Sequence, residues 1–186
     1  MRKSARAVVV LAVVMAGLAA LETIASARVR SADARVRSAD ARDPERLAAL
    51  AAMDEALARQ DLTAAVQAWR QARQLALRSR GWRAPAEAAE AELRLAAATD
   101  RLRESRPTAR ELFLVALFRA RAERATDGAL RAAEGFARLG DRDAAQLALR
   151  LAENVAAHHG DSADHDRVRL VGERIQRRGA VELSGS

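Results

Sequence analysis

The stretch with the densest chemistry is His158-His159-Gly160-Asp161-Ser162-Ala163-Asp164-His165-Asp166, which holds all three histidines of the chain and three aspartates. Imidazole and carboxylate together suit zinc or a similar divalent ion, so His158, His159 and His165 are the candidate metal ligands. Two features weigh against that chemistry. Adjacent histidines on one helix diverge, and aspartates are expected anyway where a polar loop leads into a helix start. The carboxylate pairs Glu90/Glu92 and Asp141/Asp143 are two residues apart. On a helix that spacing turns them away from each other, which fits solvated or capping roles better than an acid–base couple. The chain has no phosphate-cradling glycine loop, no Gly-x-Ser-x-Gly and no His-Glu-x-x-His. With no nucleophile–base pair legible, the expectation is a protein that is not an enzyme and needs no cofactor.

Cysteine is absent. That excludes a disulfide, a thiolate nucleophile, cysteine-ligated zinc and a lipid-modified N-terminal cysteine. The 186 residues suffice for one domain with a core. Half of them are hydrophobic but only 3% are aromatic. Much of the apolar content is alanine, the best helix former and a residue that lets helices approach closely. Stability should therefore rest on many close contacts and not on a few large anchors. Net charge is +7, and Lys3 is the only lysine, so 31 of the 32 basic residues are arginine (32 − 1). A high-G+C gene explains that usage more simply than functional selection does. Acids interleave with the arginines, as on solvated helix faces laced with i,i+4 pairs.

The elements follow from spacing. Met1–Ala27 has a basic start (Arg2, Lys3, Arg6), an apolar run over Ala7–Leu21 and a small-x-small site at Ala25-Ser26-Ala27. This is the pattern of an export signal. Uncut, the same segment would serve as a membrane anchor. Residues 28–43 form a polar spacer built on the tandem repeat ARVRSAD, too short for a convincing coiled coil. A helical domain is expected over 44–178. Helix one starts at Asp43-Pro44 with Leu47, Leu50, Ala51, Met53, Leu57 and Ala58 on its apolar face. Asp61 caps helix two, whose stripe is Leu62, Ala65, Val66, Trp69, Ala72 and Ala76, and Gly81 is a candidate left-handed residue after it. Helix three runs from Pro85 to about Arg103 on the stripe Ala88, Ala91, Leu95, Ala98 and Leu102. Pro107 should separate it from helix four, which the capping box Thr108–Glu111 would open. The run Leu112–Phe118 then reads as the centre of the core, aromatics included. Thr126 and Asp141 cap helices five and six, Ser162 caps a last helix to about Arg177, and 179–186 reads as a flexible tail.

Two of these pairs resemble a tetratricopeptide repeat, whose helix pair has a 34-residue period, small residues at helix crossings and Gly-Asp at the turn. In Thr126–Ala157, Ala133 matches the small residue of the first helix and Phe136 its aromatic. Gly140-Asp141 matches the turn, and Ala145, Leu149 and Ala152 match the second helix. In Glu45–Leu77, Gln60-Asp61, Ala65, Trp69 and Ala72 hold the matching places. Pro85–Arg124 fits a helical hairpin without the motif. The resemblance implies an all-α fold, a short α-solenoid of stacked antiparallel hairpins ended by a capping helix. It also implies a groove that binds a protein or peptide partner along the first helix of each pair. Carried over residue by residue, that groove comprises Asp127, Leu130, Glu134, Ala137 and Arg138, with Leu47, Leu50, Asp54 and Leu57 from the first unit.

The function expected from these readings is a protein–protein interaction scaffold of the bacterial cell envelope, exported or anchored by the N-terminal segment. The competing readings are electrostatic attachment of arginine to an anionic polymer or membrane surface, and a plain helical bundle that self-associates. A nucleic-acid partner is disfavoured by the export pattern. A contiguous arginine face would favour attachment, and a mixed-charge groove would favour the scaffold.

Overall fold

A computed structural model describes residues 43–159 and 162–184. The expected export signal and tandem repeat lie outside the described residues. Among the described residues there are seven helices and no strand: α1 (Asp43–Ala58), α2 (Leu62–Arg78), α3 (Arg83–Ala98), α4 (Leu102–Glu123), α5 (Thr126–Arg138), α6 (Arg142–His159) and α7 (Ser162–Ser184).

Four helix ends are built alike: α4 ends on the left-handed Arg124 at φ 55°, with Ala125 N–H bonded to the Ala120 carbonyl at 2.9 Å, and the odd helices do the same. Each odd-numbered helix from α1 to α5 ends on one left-handed residue: Gln60 at φ 60°, Asp100 at 55° and Gly140 at 72°. They are forty residues apart (100 − 60 and 140 − 100). After each, the next N–H reaches back five residues and closes the helix end. Asp61 N–H donates to the Ala56 carbonyl at 2.9 Å, Arg101 to Ala96 at 3.0 Å and Asp141 to Phe136 at 3.0 Å. This return bond occupies carbonyls that the helix end would leave unpaired. The following helix is then capped in two of the three cases, where Asp61 accepts from Ala64 N–H and Asp141 from Ala144 N–H. Among the described residues, 43–159 thus form three hairpins with a forty-residue period, longer than the 34 residues of a tetratricopeptide repeat.

Hairpin partners α1/α2, α3/α4 and α5/α6 pack most closely, and each hairpin packs on the next through α2/α3, α4/α5 and α6/α7. The odd helices form a continuous row, α1 on α3, α3 on α5 and α5 on α7. Alanine makes this possible. Ala49 of α1, Ala89 of α3 and Ala129 of α5 are all buried at the same register. The bulk comes from Met53, Trp69, Leu112, Phe113 and Phe136, with Phe113 and Phe136 edge to face at 5.9 Å. Gly135 is required where α5 meets Phe113, because a Cβ there would sit 2.4 Å from the ring.

The even row is different. The backbones of α2 and α4 do not come close, and arginine spans the gap. The Arg119 guanidinium of α4 donates to the carbonyls of Ala76 (3.2 Å), Leu77 (2.9 Å) and Gly81 (3.3 Å) and to Ser79 Oγ. It thereby caps the last turn of α2, where carbonyls lack intrahelical partners and carry negative dipole charge. Arg73 of α2 reaches Glu111 of α4 at 3.5 Å.

Several expectations are corrected. Helix α3 stops at Ala98, leaving Leu102 exposed, because the left-handed Asp100 ends it. Pro107 lies inside α4, so Thr108–Glu111 is not a helix start. The helix is already under way there, with Ser105 N–H bonded to the Arg101 carbonyl, and the proline removes one interior bond near the helix start without stopping it. Gly81 is not left-handed; α2 ends in an extended Ser79 and the Arg119 cap instead. Thr126 is a buried first helical residue and caps nothing, the cap position falling to Ala125. Phe118 is 64% exposed and not core, since α4 meets α3, α5 and α6 while α2 leaves one side uncovered. The backbone of α7 continues past Arg177 to Ser184, through residues that include nothing stronger than Gly179 to break it.

The stack ends for a legible reason. Forty residues on from the buried Ala129, Ala133 and Phe136 stand the exposed Arg169, Glu173 and Gln176 of α7. A polar outer face of this kind closes a solenoid. Three substitutions test this packing by urea unfolding. Gly135→Ala, which normally gains about 1 kcal/mol in a helix, is expected to lose about 1–3 kcal/mol through the clash with Phe113. Arg119→Ala is expected to lose about 1–3 kcal/mol by uncapping α2, while Phe118→Ser stays within about 0.5 kcal/mol of the parent.

Candidate groove on the odd-helix face

The odd helices are tied to one another by arginine–carboxylate pairs, and the ties repeat with the fold. Arg46 of α1 bonds Glu87 of α3. Asp54 of α1 takes a two-pronged bond from Arg94 of α3 at 3.1 and 3.2 Å. Glu90 of α3 takes another from Arg131 of α5 at 2.8 and 2.7 Å, and Arg138 adds a third donor at 3.4 Å. Asp127 and Glu134 of α5 bond Arg167 and Arg174 of α7, each at 2.5 Å. Planar guanidinium matches carboxylate in this fork geometry.

Two open clefts lie between these ties, of about 510 and 370 Å³. The first is floored by Leu93 and Ala97 of α3 and Leu102 of α4, with Glu90 and Arg94 on its rim. The second is floored by Ala137 of α5 and Ile175 of α7, with Glu134 and Arg174 on its rim. Arg138 and Arg178 line both, so the clefts adjoin. The odd-helix face carries mixed charge over small apolar floors. Apolar burial can supply affinity there and the rim charges orientation.

The carboxylates behave differently by environment. Burial works against ionisation of Glu90, but the hydrogen bond and charge of Arg131, then those of Arg138, outweigh it, and its carboxyl lies below the ordinary value. Glu92, two residues on, is pushed up by burial, which the Ser105 hydrogen bond and the Arg73 charge only partly offset. Its Oε2 has no hydrogen-bond partner among the described residues. Asp141 is held low by its bond from Arg110 at 2.6 Å.

The sequence-derived groove residues separate into three groups. Glu134, Ala137 and Arg138 come together on the second cleft. Asp54 and Asp127 are exposed and serve as ties to Arg94 and Arg167. Leu50 and Leu130 are 9% and 6% exposed and belong to the core, so they offer nothing to a partner. Leu57 is half-buried against that core, and Leu47 is 53% exposed on α1 away from both clefts. Of the histidines, His158 Nδ1 engages the Asn154 carbonyl of its own helix at 2.8 Å, and His165 is exposed. The His159 side chain lies outside the described residues. Among the described residues no three His, Asp or Glu side chains gather in a way that would hold a metal ion. The sequence reading missed Leu93, Arg94, Ile175 and Arg178. A signal for the face existed in opposite charges forty or forty-one residues apart, as in Asp54/Arg94, Glu90/Arg131, Asp127/Arg167 and Glu134/Arg174.

No family model matches the chain, and no curated protein matches it. No described helix is long and apolar enough to cross a membrane.

The two neighbouring glutamates should answer pH in opposite directions. The lowered Glu90 stabilises the fold above the ordinary carboxylate range, and that contribution is lost as pH falls through its folded value. Glu90→Gln should therefore cost about 1–2 kcal/mol at pH 7 and progressively less toward pH 3. The raised Glu92 destabilises once pH rises through the ordinary range near about 4.3, so Glu92→Gln should compare better with the parent at pH 7 than at pH 3. Urea midpoints of both variants across that range check the pair.

Proposed function

We propose that the chain is a non-enzymatic binding scaffold that receives a protein or peptide segment on its odd-helix face, in the manner of tetratricopeptide-like hairpin stacks. The observation that carries this reading is the pair of adjoining clefts with apolar floors and mixed-charge rims, spanning α3, α5 and α7. The pairing of Arg46, Arg94, Arg131, Arg167 and Arg174 with carboxylates supports it over electrostatic attachment. A face whose guanidiniums are largely neutralised by its own acids attracts an anionic surface weakly. The proposed compartment, the bacterial cell envelope, rests on the export pattern of Met1–Ala27 alone.

The test is to pan the full-length protein against a random peptide display and measure the enriched peptides by fluorescence anisotropy. Ala137→Trp, which fills the second cleft, should weaken them by about tenfold or more. Phe118→Ser, on α4 outside both clefts, should leave them unchanged. Peptides that bind both variants as they bind the parent would move the site elsewhere on the molecule.

A further inference from the structure

The charge balance of the two clefts is uneven. Four arginines line them, Arg94, Arg138, Arg174 and Arg178, against two glutamates, Glu90 and Glu134. Both glutamates are already engaged, Glu90 by Arg131 and Arg138, and Glu134 by Arg174. Arg94 is held by Asp54. Arg138 shares Glu90 with Arg131, at the longer distance of 3.4 Å against 2.7 Å. Arg178 has no carboxylate partner among the described residues, and it lines both clefts beside Arg138. Cationic capacity left over between two apolar floors favours side-chain carboxylates on whatever enters.

We propose that the groove is selective for an acidic segment of a partner protein that carries two apolar anchors, one for each cleft, with its acids placed between them. This rests on the scaffold reading above. The anchors would seat on Leu93 and Ala97 in one cleft and on Ala137 and Ile175 in the other. The intervening carboxylates would meet Arg138 and Arg178. Spacing follows from the helices. Clefts on either side of α5 lie about one interhelical distance apart, roughly 8–10 Å. A polyproline-II-like segment places residues i and i+3 on one side about 9 Å apart. The segment is therefore of the form apolar-acid-acid-apolar. A rim guanidinium bonded to an ionised carboxylate makes a charge-assisted pair that also raises the rate of encounter.

The experiment uses the full-length protein and short labelled peptides with both termini blocked, so that side chains supply the only carboxylates. One carries Leu-Glu-Glu-Leu in a Gly/Ser context. A second carries Leu-Gln-Gln-Leu, and a third Leu-Lys-Lys-Leu. The acidic peptide should bind about tenfold or more tightly than the neutral one, and the basic one should not bind. Added salt should erode that preference. Arg178→Gln should remove most of it and Arg138→Glu should abolish it, with unchanged circular dichroism melting for Arg178→Gln showing that the fold is intact. Equal binding of acidic and neutral peptides, reduced alike by Ala137→Trp, would overturn the acid selectivity and leave the groove standing. Acid-selective binding indifferent to Arg138, Arg178 and Ala137 would place it elsewhere and overturn the proposal. Binding of none of the three would overturn the anchor spacing, while peptides from the display that respond to Ala137→Trp would still uphold the scaffold.

Discussion

One backbone event organises this molecule: the chain turns left-handed for a single residue and closes its helix with a return bond. It happens at Gln60, Asp100 and Gly140, forty residues apart, and again at Arg124 where α4 ends. Only one of the four is glycine. A side chain in this region costs roughly 1–2 kcal/mol of steric strain, so three turns carry a local penalty that helix packing must exceed. The gain is geometric. Because each first helix ends the same way, residues forty apart take like positions in successive hairpins. That coincidence allows Ala49, Ala89 and Ala129 to meet at one depth and the carboxylate–arginine ties to recur along one face.

Two kinds of contact then divide the labour. Alanine sets distance, because a methyl group lets backbones approach closely. It buries little area per residue and does little to resist sliding. The arginines supply what alanine lacks. Guanidinium forks on Asp54 and Glu90, and a single bond on Glu134, fix one odd helix against the next at defined distances. Where α2 and α4 stand too far apart for alanine to work, Arg119 crosses the gap and binds the free carbonyls of a helix end. The arginine content of the chain, whatever its origin in the gene, has become structural mortar in a protein short of aromatics. Glu92 is the exception, a buried carboxylate with an unsatisfied oxygen at a register where the other hairpins carry Ala52 and Ala132.

Much of this was readable in the residues. The all-helical class and the turns at Asp61 and Asp141 follow from propensity and capping, which are local. The middle hairpin was legible as a helix pair, but its turn was misplaced, because no Gly-Asp marks Asp100 and because Pro107 imitates a boundary. A single missing N–H near a helix start is too weak a signal to outvote packing. The same limit explains the aromatics. Periodicity shows that Phe113 and Phe118 are apolar, but which of them is covered depends on how far α2 stands from α4. Trp82, sealing the small cluster of Ala86, Ala116 and Ala120, sits at a helix boundary where no stripe marks it as core. Of the groove, the α5 contribution was visible and the α3 and α7 contributions were not, since those depend on neighbours forty residues away.

The neighbour rule has a kinetic consequence. No helix in the described stack touches one more than two places along the chain, so folding needs no distant segment to arrive before a hairpin can form. Such an architecture behaves as a line of coupled springs. It can start to order at any hairpin and propagate in either direction, and it can come apart one hairpin at a time. Gly135, which lets α5 settle onto the Phe113 ring, and Arg119, which holds α4 to the end of α2, are the couplings in that line. Loosening either would show first as a wider spread of local opening rates under hydrogen exchange, with the hairpins ceasing to open together.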